Sequence, residues 1–194
     1  MPFGSVAAAG WASGLNLYGT ALLLGVAGRR GWADEVPAEL QRSWVLGVLG
    51  VLYAVEFVID EIPWLDSAWD ALHTIVRPLG GALLGMALVN DPGSPEALAG
   101  LLGAGFSLSA HSAKATTRAA INTSPEPFSN VLASLTEDGI VAGMVTLALV
   151  SPVTAGVVAV ILAVVSLAVT WFLIRAVRTL LGRWREDSAQ PGSS

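Results

Sequence analysis

The sequence predicts an all-α fold, a polytopic integral membrane bundle of about six transmembrane helices, and three observations lead to this class. Hydrophobic residues make up 54% of the 194 positions and charged residues only 13%, whereas a soluble domain carries about 25% charged residues. The mean hydropathy is +0.65. Apolar runs recur along the chain, and most approach the roughly 20 residues that a helix needs to cross a bilayer. These observations exclude an ordinary soluble enzyme and a disordered chain.

Charge and cysteine content exclude further classes. The net charge is −5 and Lys114 is the only lysine, so no basic patch is available to neutralise nucleic-acid phosphates. The chain has no cysteine, which excludes disulfide frameworks, thiolate metal sites and cysteine nucleophiles. The partner that composition predicts is the lipid bilayer, and nucleic acid is not expected as a partner.

Six apolar segments mark the predicted helices in chain order. We expect them at residues 6–28, 43–59, 66–89, 95–121, 128–150 and 153–181. The first is expected to be a retained helix and not a signal peptide, because no basic residue precedes its apolar run. Together they form a single transmembrane domain over residues 1–185, followed by a disordered polar tail over residues 186–194.

Prolines and turn-forming residues separate or interrupt these helices. Pro63 is expected to stop the second helix, and Pro78 to kink the third. Residues 90–93 and 122–127 have the composition of turns, and residues 151–152 separate the last two helices. Interrupted helices of this kind are common in transporters.

Two further patterns concern symmetry and orientation. Residues 46–50 resemble residues 98–103, and residues 81–89 resemble residues 141–149, which leaves an internal repeat open. Arginines cluster at residues 29–42 and 175–185, and the larger second cluster favours a bundle with both ends of the chain on the cytoplasmic side.

The informative residues are charged groups inside the predicted spans, because a charge at bilayer depth costs at least about 2.5–3.5 kcal/mol. The third helix places four such groups at i, i+4, i+7 and i+11, hence on one face: Asp66, Asp70, His73 and Arg77. Glu56 and Asp60 lie in the short second helix or at its end. For Asp66 an alternative is open, a solvated helix start near the interface.

The fourth and fifth helices carry a second set of polar groups. One face of the fourth helix holds His111, Lys114, Arg118 and Asn122, and the fifth helix holds Ser134, Glu137 and Asp138. All are candidate residues for binding an ion or a substrate. The structural alternative is a set of buried ion pairs that join Lys114 or Arg118 to Asp60, Asp70 or Asp138 and only set the helix register.

A count of these groups shows an excess of acids. Seven acids lie in the predicted membrane region, Glu56, Asp60, Glu61, Asp66, Asp70, Glu137 and Asp138, against three bases, Arg77, Lys114 and Arg118. Pairing alone cannot neutralise this excess, so some carboxylates must be protonated, solvated or bound to a cation. No organic cofactor is expected, and a bound cation is left open, with Asp60, Asp70, His111 and Asp138 as its candidate ligands.

Several polar motifs in order resemble a bacterial membrane family described as domain of unknown function 4126. They are residues 14–18, 57–70, 111–118 and 122–130 and the pair Glu137–Asp138, so that the resemblance extends to about residue 150. It implies a multi-helix protein of the bacterial plasma (inner) membrane and no particular activity.

The residues themselves therefore suggest the function, and three classes stay open. The first is a small transporter or channel that moves an ion or small polar solute through a charged site between broken helices, with coupling to a proton or cation left open. The second is an intramembrane enzyme acting on a lipid phosphate, which we favour less because no complete catalytic motif is present. The third is an assembly or scaffold subunit whose charges bind a partner helix, with the glycines of residues 80–85 and 100–103 permitting close helix packing. A homo-oligomer is also left open.

Overall fold

The computed structural model describes residues 1–89, 95–123 and 127–188. These residues form seven α-helices and no β-strand, which confirms the all-α class. The helices are α1 (Phe3–Leu15), α2 (Leu17–Arg29), α3 (Ser43–Asp60), α4 (Pro63–Leu88), α5 (Glu96–Ile121), α6 (Pro127–Val150) and α7 (Pro152–Ser188).

Four helices of the described residues are long and apolar enough to cross a membrane, so a count of six spans is not confirmed. They are Ser43–Asp60, Pro63–Leu88, Phe128–Val150 and Pro152–Leu180. The first predicted helix is in fact two shorter ones that meet at Asn16. Asn16 has an extended backbone, with φ −147° and ψ 101°, and its side chain accepts a hydrogen bond from the Gly19 amide at 2.8 Å. This N-cap starts α2 as a new helix, which explains the break.

The other helix boundaries agree closely with the predicted ones. Pro63 opens α4 as its first residue instead of only ending the helix before it, because proline fits the first turn of a helix. Pro78 lies inside α4, and the helix continues through it. α7 continues to Ser188, three residues into the segment predicted to be a tail. Residues 90–94, 124–126 and 189–194 lie outside the described part, and with them the predicted turn at 90–93, part of the 122–127 break and most of the tail.

Helices α3 to α6 alternate in direction, which defines two ends of the bundle. At the Pro63 end α4 begins next to the end of α5, since Asn122 Nδ2 donates to the Pro63 carbonyl at 3.0 Å. At the opposite, Leu88 end, Gly85 of α4 lies against Ala99 of α5. α3 ends at the Pro63 end, because residues 61 and 62 alone join it to α4.

The α1–α2 pair enters and leaves the bundle at the same end. Ser5 Oγ of α1 donates to the Ala148 carbonyl near the end of α6 at 2.7 Å, so α1 begins at the Leu88 end. Arg29 of α2 donates to Ser43 Oγ at the start of α3 at 2.8 Å, so α2 returns to that end. We call this pair the hairpin, with Asn16 at its tip inside the bundle.

The hairpin changes the expected orientation. α7 starts at the Leu88 end, where α6 ends one residue before it, and its arginines Arg175 and Arg178 lie toward the Pro63 end. Because the first predicted span is a hairpin and not a crossing, α1 begins and α7 ends at opposite ends of the bundle. The prediction that both ends of the chain share one side is therefore wrong.

Small residues allow α1 to lie at the centre of the bundle. α1 packs against α4, α5, α6 and α7, and its residues from Ser5 to Leu15 are all buried. A Cβ added at Gly103 of α5 would overlap the Gly81 carbonyl oxygen of α4, and one added at Gly10 of α1 would lie 2.8 Å from the Gly103 Cα. The glycines that were candidates for contact with a partner protein therefore serve packing within this chain.

The two segments of the first sequence echo, residues 46–50 and 98–103, have different surroundings. A Cβ at Gly47 or Gly50 of α3 would meet nothing within 4 Å, whereas Gly100 and Gly103 of α5 are closely packed. An internal repeat stays a prediction.

Candidate functional site

The centre of the bundle, around the hairpin tip, holds a group of charged side chains that we call the charged site, and all of them are buried except Glu137, which is 15% exposed. Its members are Glu56, Asp60, Asp70, Arg77, Lys114, Arg118 and Glu137. They come from α3, α4, α5 and α6, so the site exists only when these four helices pack together. Each cationic side chain of the site is at most 1% exposed.

Arg77 is the cation that α4 contributes to the charged site. Its Nη2 donates to Glu56 Oε1 at 2.5 Å, and its Nη1 lies 3.4 Å from Asp70 Oδ1. Nη1 also donates to the Gly14 carbonyl oxygen at 3.2 Å and to His111 Nδ1 at 2.9 Å. Arg77 thus joins three helices and the hairpin through one guanidinium group.

Lys114 is surrounded by three carboxylates and one backbone carbonyl. Its Nζ lies 2.7 Å from Asp60 Oδ2, 3.2 Å from Glu137 Oε2 and 3.6 Å from Glu56 Oε1. It also donates to the Leu15 carbonyl at 3.2 Å. These oxygen atoms stabilise the charge of the ammonium group, which the interior of a membrane protein would otherwise disfavour.

Arg118 binds the carboxylate of Glu137 through two atoms. Nε donates to Oε1 at 3.2 Å and Nη2 to Oε2 at 2.9 Å, a bidentate arrangement. Nη2 also donates to Ser134 Oγ at 2.9 Å, and Nη1 to the Asp60 carbonyl oxygen at 3.2 Å. Asp60 Oδ2 is 3.5 Å from the same guanidinium group.

The hairpin tip supplies backbone acceptors that a continuous helix would use itself. The last four carbonyls of a helix have no partner within it. Here those of Gly14 and Leu15 at the end of α1 accept from Arg77 and Lys114. The partial negative charge at a helix C-terminus favours cations at this position.

The hydrogen bonds of His111 identify its neutral form. Arg77 can only donate, so His111 Nδ1 accepts from it and carries no proton. Nε2 then bears the proton and donates to Thr74 Oγ1 at 3.1 Å, while Thr74 donates to the Asp70 backbone carbonyl at 3.0 Å.

His73 lies outside the charged site, on the Tyr18 side of the bundle. Its Nδ1 lies 2.8 Å from the Trp69 carbonyl, and its Nε2 lies 3.1 Å from the Tyr18 hydroxyl. The His73 and Trp69 rings lie 4.4 Å apart. Within the described residues, none of these hydrogen bonds joins His73 to an ionised side chain.

Two other carboxylates are held by neutral donors. Asp66 Oδ2 accepts from Asn122 Nδ2 at 2.8 Å, and Asp66 is fully buried, so the alternative of a solvated helix start is wrong. Asp138 Oδ2 accepts from the Tyr53 hydroxyl at 2.6 Å, and its Oδ1 accepts from Asn16 Nδ2 at 3.1 Å. Asp138 therefore joins the hairpin tip to α3 and α6 without an ion pair among these contacts.

The excess of acids persists in the structure. Four carboxylates face three cations in the charged site, and Asp66 and Asp138 add two more that are bound by neutral groups. Glu61 follows Asp60 in the short connection to α4, where burial raises the pKa of its carboxyl group. Glu56 Oε2, Asp60 Oδ1 and Asp66 Oδ1 are buried and accept no hydrogen bond in the described part of the chain.

Most of the predicted binding residues are brought together, with two refinements. The predicted pairing of Lys114 and Arg118 with Asp60 is present, but their other carboxylate partners are Glu137 and, for Lys114, Glu56. Ser134 joins the site through Arg118, whereas Asn122, His73 and Asp138 lie beside it.

The four candidate cation ligands do not form one site. Asp60 contacts Lys114, Asp138 contacts Tyr53, and His111 contacts Thr74 and Arg77. Within residues 1–89, 95–123 and 127–188, no group of three or more His, Asp or Glu side chains could hold a metal ion.

Several residues of the site have only a weak signal in the sequence. Asn16 interrupts an apolar run, and a polar N-cap residue there could have indicated a new helix. Tyr53 and Thr74 carry no signal, because a hydroxyl group in a helix is ordinary. The backbone carbonyls of Gly14 and Leu15 become available only through the break at Asn16.

The helices and the buried charged site define the class first: the chain is a helical membrane protein with an ion-paired interior. A model of the family described as domain of unknown function (DUF4126) matches residues 4–172, so the chain belongs to this family. The motif resemblance is thereby confirmed, and the match continues past the expected limit near residue 150, to residue 172 in α7. No curated protein and no solved structure matches the chain.

Proposed function

We propose that this protein is a small transporter or channel that moves a cation or small polar solute through the charged site. One observation carries the proposal. Acidic side chains outnumber basic ones around the tip of a hairpin that stops halfway through the bundle. Ionisable groups inside membrane helices most often serve an ion or substrate pathway, because they are costly to keep there.

The broken hairpin supports transport as well as the charges do. In many transporters a discontinuous helix exposes its C-terminal carbonyls to a coupling cation near the middle of the membrane. Here the carbonyls of Gly14 and Leu15 face the cationic groups of Arg77 and Lys114. Lys114 occupies the position that a transported cation takes in such a site, and its displacement would expose Asp60, Glu137 and the Leu15 carbonyl.

The charge balance favours a cationic or neutral substrate over an anionic one. Arg77, Lys114 and Arg118 already contact carboxylates, so none of them is free to hold a phosphate. The same pairing weakens the case for an enzyme acting on a lipid phosphate, because that reaction requires cations directed at the substrate. Scaffold function and a homo-oligomer stay predictions, as does the bacterial plasma (inner) membrane that the family resemblance implies.

Reconstitution tests the proposal. Proteoliposomes are adsorbed on a solid-supported membrane, and currents are recorded on concentration jumps of H⁺, Na⁺, K⁺ and choline, with uptake of a neutral polar solute, glycerol, measured in parallel. We expect at least one probe to give a signal above that of protein-free liposomes. Lys114→Ala and Asp138→Asn should abolish that signal.

The controls separate loss of transport from loss of fold. Arg175→Ala changes an exposed arginine of α7 and should keep the signal. Size-exclusion profiles must show Lys114→Ala and Asp138→Asn as folded as the native protein. Absence of every signal from the native protein, or full signal from both site variants, contradicts transport. A lipid phosphate hydrolysed in detergent would instead establish the enzyme.

A further inference from the structure

Two cavities of about 220 Å³ each flank the charged site on different sides of the bundle. The first lies between α4 and α5 and is lined by Asp70, Thr74, Ala115 and Arg118 among others. The second lies between α2, α3 and α6, and its lining includes Leu22, Tyr53 and Asp138. Each cavity thus reaches one carboxylate at one edge of the buried polar groups.

Asp70 is the acid of the first cavity. It is 4% exposed, and neither of its oxygen atoms accepts a hydrogen bond in the described residues. Its closest cation is Arg77, whose Nη1 lies 3.4 Å from Oδ1. A buried carboxylate that accepts so few hydrogen bonds can take up a proton from the adjoining cavity, because the neutral acid needs fewer partners than the ion.

Asp138 is the acid of the second cavity. Tyr53 donates to one of its oxygens and Asn16 to the other, and neither donor carries a charge. Asn16 belongs to the hairpin tip, so a shift of the hairpin would directly change the donors of Asp138.

Glu56 lies between the two acids. Arg77 joins Asp70 to Glu56 Oε1, while Glu56 Oε2 has no partner in the described part. On α3, Tyr53 lies three residues before Glu56, one turn away on the same side of the helix. The groups therefore follow one another as Asp70, Arg77, Glu56, Tyr53 and Asp138, and the hairpin tip lies beside this series.

We propose that the transported or coupled ion is a proton, which enters at Asp70 from the cavity between α4 and α5 and leaves from Asp138 into the cavity beside α2. This inference rests on the proposed transport function and names its ion. A proton from water converts the Asp70 carboxylate to the neutral acid, which weakens the contact with Arg77. Arg77 keeps its own protons, and once its contact with neutral Asp70 weakens, Asp70 passes the proton to Glu56 beside the guanidinium group. Glu56 then gives the proton to the Tyr53 oxygen, whose own hydroxyl proton moves to Asp138. Asp138 releases this proton to water, so each carboxylate returns to its ionised state and Tyr53 stays neutral.

The groups around each acid fit this route. Asp70 faces Arg77 and Asp66 on its own helix, Asp60 on α3, and Lys114 and Arg118 on α5, with neutral His111 nearby. Asp138 faces the Tyr53 hydroxyl on α3, with Glu56 one turn beyond it, and the Asn16 amide of the hairpin. The fixed cation of Arg77 between the two acids repels a metal cation, whereas a proton moves between neighbouring groups without a shell of ligands.

Proton flux tests the route directly. Pyranine is trapped in proteoliposomes, a potassium gradient with valinomycin sets the voltage, and the initial rate of internal acidification is measured. We expect the native protein to acidify the vesicles, and Asp70→Asn and Asp138→Asn each to lower the rate at least about tenfold. Asp34→Asn, which changes an exposed acid outside the helices, serves as the matched control and should keep the native rate.

Cysteine labelling tests the two entrances without any need for flux. The native chain has no cysteine, so Ala115→Cys and Leu22→Cys give single thiols in the first and second cavity. We expect a membrane-impermeant thiol reagent to modify the two from opposite sides of the vesicle. Val160→Cys, on the apolar outer surface of α7, is the control that should not react from either side.

The outcomes separate this inference from the proposed function. Currents of Na⁺, K⁺ or choline without proton flux would show that the transported ion is not a proton, and the proposed transport function would still hold. Native rates of proton flux in both Asn variants, or labelling of both cavities from one side, would overturn the route. If no probe moves at all, the proposed function itself fails.

Discussion

α5 and α7 pack side by side along the bundle, yet their chemistry is opposite. α5 buries His111, Lys114 and Arg118 on one face, each at most 3% exposed. Over its described side chains, up to Leu180, α7 is apolar almost all round and turns residues such as Val153 and Val164 outward, 80% and 62% exposed. These two neighbouring helices therefore have different requirements, because α5 needs partners for its charges and α7 needs apolar surroundings.

The difference shows which surroundings a membrane helix needs. α5 lies among α1, α4, α6 and α7, and carboxylates and carbonyls from its neighbours satisfy its charges. Among its described side chains, α7 buries only small or weakly polar residues, Ala155, Ala159 and Ser166, and its outer face requires a solvent as apolar as itself. Charge is tolerated where other helices supply its partners, and the outward surface of α7 is apolar.

The largest effect should come from the same substitution made in both helices. Arg118→Met leaves Glu137 and Asp60 with Lys114 as their remaining cation, and we expect a loss of about 3–5 kcal/mol in the free energy of unfolding, because buried charges lose their partner. Arg175→Met in α7 removes an exposed cation over Trp171 and should cost about 1 kcal/mol or less. Unfolding in detergent micelles measures both, and equal losses would break the comparison.

The second effect concerns the lipid-facing side of α7. Val164→Lys places a charge in the middle of the apolar surface, and we expect membrane insertion to become less favourable by about 2.5–3.5 kcal/mol. Val153→Lys in the first turn is the matched control, because a lysine near a helix end can extend its ammonium group toward water. The fraction of helix inserted in a translocation assay gives both values. Indifference to Val164→Lys would show that this surface does not face hydrocarbon.

A third pair of variants compares two faces of α5. Gly103→Ala forces a methyl group against the Gly81 carbonyl, and the shift of α4 or α1 should cost about 1–3 kcal/mol. Gly105→Ala adds the same methyl group where nothing lies within 4 Å, and should be neutral or slightly stabilising. Thermal unfolding of the two variants in one detergent measures the difference. A Gly103→Ala protein as stable as Gly105→Ala would contradict the close packing of α1, α4 and α5.

The smallest effect tests the link between α1 and α7. Trp11 Nε1 donates to Ser166 Oγ at 3.3 Å in the buried part of the bundle. Trp11→Phe removes this bond, and we expect a loss of about 0.5–1.5 kcal/mol in the free energy of unfolding. Trp171→Phe, on the exposed face of α7, is the control and should change stability by less. The same unfolding assay decides, and a larger effect at Trp171 would reverse the expected order.

The sequence by itself determined the class of the protein, most helix boundaries and the faces that carry charge. Length and hydropathy are local properties, and so is the spacing that aligns Asp66, Asp70, His73 and Arg77 on one face of α4. The excess of acids over bases was also visible, since it requires only a count and a reliable assignment of the spans.

The tertiary structure alone decided the hairpin and the partners of each charge. The break at Asn16 depends on one residue in an apolar run, so a continuous helix was the simpler prediction, and the reversal of α2 follows from its contacts with α3. Glu56 with Arg77, and Tyr53 with Asp138, are 21 and 85 residues apart in the chain. Periodicity reports which side of a helix is polar, but only the packing of several helices determines which polar groups meet, because those contacts depend on helix positions and not on local spacing.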